Sequence, residues 1–131
     1  MVPVAGLAEC GLEGWFDPVP WDSRIALDLK ENETFAVIAH GKSMQPEGIR
    51  PGFVCYCRPG SKPRKNDIIY ARRKDGRATI KKFLETENNE WLRLRGYLDP
   101  NQGGQQEPYE DKVRLKDIEE IAVIELIQRR L

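Results

Sequence analysis

The stretch HGKSMQPEGIRPG, His40 to Gly52, places one serine, Ser43, in a Gly- and Pro-rich turn just after the apolar run TFAVIAHG. A serine hydroxyl becomes a nucleophile only when a base lies within hydrogen-bond reach. His40 is the sole histidine of the chain, with Glu47 and Asp67 as carboxylates that could complete a triad. One short turn, however, rarely aims two side chains three residues apart at each other. A lysine can serve instead if it is neutral. At an ordinary pKa of about 10.4, only about one lysine in a thousand is uncharged at pH 7.4, and a downward shift of about three units costs about 4 kcal/mol. Burial supplies such a shift by disfavouring the charged form. The lysine to look for therefore lies inside an apolar, β-forming stretch. ATIKKF holds two, Lys81 and Lys82, between Ile80 and Phe83. On a strand Thr79, Lys81 and Phe83 share one face, and Ile80 and Lys82 the other. Alternation does not choose between them, and solvated lysines at a sheet edge fit the same pattern.

The elements that must hold these groups read mostly as strands. TFAVIAHG, GFVCYCR, DIIYARR, RATIKKFLE and EWLRLRGY are rich in β-formers, and RPGSKPRKN, KDGR and ENNE separate them as turns. LDPNQGGQQEPYE is a polar loop, and DKVRL and IEEIAVIELIQRRL read as two closing strands, the last helical by composition but favoured as strand by its β-branched residues. Residues 1–24, rich in glycine and proline, form an arm that opens on the apolar VPVAGLA; residues 25–131 form one domain.

Composition narrows the function. The chain has 131 residues, with 21 basic and 21 acidic side chains. That balance argues against a nucleic-acid-binding or membrane-surface module by itself. No apolar stretch approaches the roughly 20 residues that span a bilayer, and the N-terminus lacks the pattern of a signal peptide. A cytoplasmic protein is expected. Cys10, Cys55 and Cys57 are an odd number, and with His40 they match no common zinc spacing, so neither a disulfide framework nor a metal or other cofactor is expected.

Several of these segments, in this order, resemble one family. GKSMQPEGIRPGF resembles the G-x-S-M-x-x-x-G-I-x-x-G-D segment of the LexA/UmuD-type self-cleaving serine–lysine peptidases, which include many phage repressors. RKNDIIYARRKDGRATIKKFLE resembles the strand, hairpin and lysine-bearing strand that follow in that family. WLRLRGYLDPNQ is similar to its L-x-P-x-N loop, IEEIAVIELI to its closing strand, and VPVAGLAECGLEG to its cleavage segment. Phe53 stands where the family usually has aspartate, Asn66 where it has glycine, and Glu120 where glycine is frequent.

The resemblance implies a LexA/signal-peptidase-like β-ribbon fold of twisted antiparallel sheets with few short helices. It implies Ser43 as nucleophile and Lys81, not Lys82, as general base. The scissile bond would be Cys10–Gly11 of the same molecule, and the amides of Ser43 and Met44 would stabilise the oxyanion. Small residues at Cys10–Gly11 suit a chain entering a narrow cleft, and VPVAGLA could lie along a strand edge. The implied function is the autoproteolytic and dimerisation domain of a LexA-like or phage-type transcriptional repressor of an SOS-type DNA-damage response. Its partners would be a second copy of itself and a RecA–single-stranded DNA filament; DNA would be bound only through an N-terminal helix-turn-helix domain that this chain lacks. Two other readings are a non-cleaving dimerisation module and a UmuD-like accessory subunit of a damage-tolerant polymerase.

Overall fold

The computed structural model describes the backbone of residues 2–9, 24–25 and 34–129, and the side chains of residues 34–129. Among the described residues nine strands form one curled sheet: β1 (Val2–Glu9), β2 (Arg24–Ile25), β3 (Phe35–His40), β4 (Val54–Pro59), β5 (Ile68–Arg73), β6 (Ala78–Glu87), β7 (Trp91–Tyr97), β8 (Pro108–Arg114) and β9 (Ile118–Gln128). Their order is β2-β1-β3-β4-β9-β5-β6-β7-β8, and the end of β1 also reaches β6. The helical content described is two 3₁₀ turns, Gln45–Glu47 and Leu115–Asp117. The mostly-β fold expected from the strand signals is therefore present, and the final run is strand rather than helix.

One feature differs from the antiparallel expectation. β3 to β9 pair antiparallel, but β1 runs parallel to both β3 and β6. VPVAGLA does lie along a strand edge; its residue types suit either direction, so nothing in them specifies which.

Turn chemistry fixes the hairpins. Asp75 accepts the Arg77 amide at 3.0 Å and closes the β5–β6 turn. Asn66, at φ 75°, enters the left-handed region just before β5, a conformation that asparagine tolerates better than most residues. That explains how asparagine can replace the family's glycine there. Phe53, in place of the family's aspartate, packs half-buried against the core.

The core has two parts. One gathers Val37, Ala39, Cys55, Cys57, Tyr70, Ala78, Ile80 and Ala122 with Met44 and Ile49 of the β3–β4 loop. The other gathers Ile69, Ala71, Phe83, Leu92, Leu94 and Val113. β6 contributes to both, so it is covered on its two faces. Cys55 and Cys57 are buried and in no disulfide, and burial holds Cys57 well above its ordinary pKa. Among the described residues no group of His, Cys, Asp and Glu could hold a metal ion, and no helix is long and apolar enough to cross a membrane.

Candidate active site

Ser43 sits in the loop joining β3 to β4, and the loop is built to hold it still. Ala39 and Phe53 close its base, with the Ala39 amide donating to the Phe53 carbonyl at 2.8 Å and the Gly52 amide to the Ala39 carbonyl at 2.9 Å. Met44 and Ile49 are fully buried in the first core cluster, an anchorage of roughly 1.5–3 kcal/mol per side chain. The Met44 carbonyl accepts the Glu47 and Ile49 amides at 3.0 and 3.1 Å, and Gly48, at φ 87°, turns the chain out of the 3₁₀ turn. Among the described residues the Ser43 and Met44 amides donate to no carbonyl.

A carboxylate ties this loop to the opposite strands. Glu47 accepts a short hydrogen bond from the Tyr97 hydroxyl and pairs with Lys82 Nζ at 2.9 Å. Burial pushes the Glu47 carboxyl up, but the Tyr97 hydroxyl and Lys82, with Arg95 adding its charge, outweigh it and hold the carboxyl below its ordinary value. Burial, with the Glu47 bond, raises the Tyr97 phenol to about 12. The Tyr97 amide donates to Ser43 Oγ at 3.1 Å. One residue of β7 thus holds both the loop's carboxylate and its hydroxyl.

Lys81 and Lys82 part company on β6. Lys82 reaches Glu47, whereas Lys81 is completely buried. Ser43, Thr79 and Lys81 are three of the four buried polar or charged side chains described. Lysine is almost never fully buried without a charged partner, yet among the described residues no carboxylate pairs with Lys81. Its amine instead donates to the Tyr109 hydroxyl at 2.9 Å. Nζ lies 5.2 Å from the Tyr109 ring centroid, so it sits beyond the hydroxyl rather than over the ring face.

Gly96 makes the room. Lys82 pairs with Arg95 and Gly96 with Tyr109, so Lys81, Gly96 and Tyr109 follow one another across three neighbouring strands. A Cβ at Gly96 would lie 2.7 Å from Ser43 Oγ and 2.9 Å from the Tyr109 hydroxyl. The serine and tyrosine oxygens therefore flank one small space, and the Lys81 amine adjoins it through Tyr109.

The end of β1 arrives at the same place. Glu9 is opposite His40 of β3 and Thr79 of β6, three residues before Ser43 and two before Lys81. Cys10 and Gly11, the expected cleavage site, lie outside the described residues. His40 is exposed at the end of β3. Glu47 is taken by Tyr97 and Lys82, and Asp67 accepts the Arg64 amide at 2.8 Å. The two carboxylates that could have completed a triad with His40 are thus engaged by other residues.

Ser43, Met44 and Lys81 stand out in the sequence, whereas Gly96, Tyr97 and Tyr109 do not. A glycine inside a strand pattern, as in WLRLRGY, does signal a close approach; what approaches it depends on pairing register.

A buried serine hydroxyl and a buried amine at the mouth of an edge-docked strand are groups suited to acyl transfer. No curated protein matches the sequence. A model of the Peptidase S24-like family matches residues 5–115, which include the Ser43 loop, Lys81 and Tyr109. The chain thus belongs to the Peptidase S24-like family, the LexA/UmuD-type serine peptidases.

Proposed function

We propose that this chain is a self-cleaving serine peptidase that cuts its own Cys10–Gly11 bond through Ser43 and Lys81. Neutral Lys81 takes the Ser43 proton, and Ser43 Oγ attacks the Cys10 carbonyl. The amides of Ser43 and Met44 stabilise the oxyanion. The Gly11 amine leaves with the proton from Lys81, and water then releases the acyl group from Ser43. Holding the arm as a sheet strand makes the attack intramolecular, which removes much of the orientational cost.

The observation that carries this reading is the end of β1. Its last residue is paired with both the strand that leads into Ser43 and the strand that bears Lys81. In a LexA-like or phage-type repressor, such cleavage would part a DNA-binding segment from a dimerising one and weaken operator binding through lost bivalency. A second copy of the chain and a RecA–single-stranded DNA filament are partners that fit this role, in the cytoplasm.

The alternative reading is a dimerisation module that keeps the fold without cutting. Incubation at pH 9–10, followed by intact-mass measurement and N-terminal sequencing, separates the two. A new N-terminus at Gly11, absent in Ser43→Ala and Lys81→Ala, supports the peptidase. A chain intact at every pH supports the module.

A further inference from the structure

We propose that Tyr109 is a positioning residue for Lys81: its hydroxyl accepts one N–H of the amine and so directs the nitrogen lone pair at the Ser43 hydroxyl. The inference rests on the peptidase reading and adds to it a third side chain, from a strand that neither the serine nor the lysine occupies.

A lysine side chain has four rotatable carbons, and an amine free to swing would present its lone pair to Ser43 for a small share of the time. Burial alone does not orient it. The Tyr109 phenol does, at 2.9 Å. A hydroxyl oxygen satisfies a buried N–H without the strong preference for an ammonium that a carboxylate would impose. The β7–β8 pairing of Gly96 with Tyr109 fixes the height of the ring on the sheet. The missing side chain at Gly96 lets the hydroxyl reach the space that Ser43 Oγ also borders. Tyr109 is only half-buried, so the rim of the site, rather than its floor, holds the base in place.

Tyr109→Phe removes the hydroxyl and keeps the ring. Two measurements test the role. In the first, the limiting self-cleavage rate at alkaline pH falls about tenfold or more, with a melting temperature close to that of the parent. A rate equal to or above the parent's overturns the proposal. In the second, which needs no cleavage, both chains carry Ser43→Ala and ¹⁵N-labelled lysine. The parent shows a Lys81 Nζ resonance with slow hydrogen exchange, and Tyr109→Phe loses that protection. If protection is absent from the parent or survives in Tyr109→Phe, the orienting bond does not exist. If the chain with Ser43 intact never cuts while its Ser43→Ala form shows the protected resonance, the peptidase reading is refuted and the contact stands.

Discussion

Gly96→Ala is the substitution whose effect the geometry fixes most tightly. Gly96 lies mid-strand in β7 and does not take a left-handed φ, so alanine meets no backbone penalty there. The added methyl, however, would stand 2.7 Å from Ser43 Oγ and 2.9 Å from the Tyr109 hydroxyl. Relief requires displacements of several tenths of an ångström in the Tyr109 side chain and in Ser43, which sits on a loop pinned by Met44, Ile49 and Glu47. Overpacking of this kind costs about 1–3 kcal/mol, and misplacing a reacting group by about 1 Å can cost about 100-fold in rate. Urea unfolding should show a loss of about 1–3 kcal/mol, and alkaline self-cleavage should fall about 100-fold or more. Because one clashing atom is Ser43 Oγ, Ser43→Ala should relieve part of the strain. In a double-mutant cycle, Gly96→Ala should therefore cost at least about 0.5 kcal/mol less in the Ser43→Ala background, within the range seen for residues in contact. Strict additivity, or wild-type cleavage by Gly96→Ala, would refute the packing argument.

The Glu47 clasp should give a pH signature. The folded Glu47 pKa is lowered, so its contribution is complete above the unfolded carboxylate value of about 4.3 and is lost as pH falls through the lower folded value. Glu47→Gln should cost about 1.5–3 kcal/mol at pH 7, as expected for hydrogen bonds to a charged group, and this difference should shrink toward pH 3 in urea titrations. Tyr97, raised to about 12, shifts in the opposite sense: its contribution is complete below about 10, the ordinary phenol value, and fades as pH rises through the folded one. The clasp therefore persists at the alkaline pH used for cleavage. Cys55 and Cys57 should resist alkylation in the native chain and react once it unfolds, as mapped by peptide mass spectrometry; rapid native labelling of Cys57 would contradict its burial.

The strands and the Ser43 turn were legible because their signals are local: β-branched runs, punctuating glycines and a serine after an apolar stretch. The choice between Lys81 and Lys82 was not. β6 is buried on both faces over Ala78–Lys81, so strict alternation offers no contrast there, and the residue that claims Lys82 is Glu47, far away in the chain. The family resemblance pointed to Lys81 where periodicity could not. Tyr109 and Gly96 were illegible for a similar reason: their roles exist only once β6, β7 and β8 are in register. The parallel direction of β1 was hidden too, since a strand edge can accept the same apolar residues running either way.

Activation of Ser43 by Lys81 can be read without waiting for the arm to be cut. The parent chain, Lys81→Ala and Lys82→Ala are each exposed to a serine-directed phosphonyl fluoride at alkaline pH and the adduct is mapped. The account predicts phosphonylation at Ser43 in the parent and in Lys82→Ala, and its loss in Lys81→Ala. Labelling of Lys81→Ala at the parent's rate would show that the buried amine does not activate the hydroxyl.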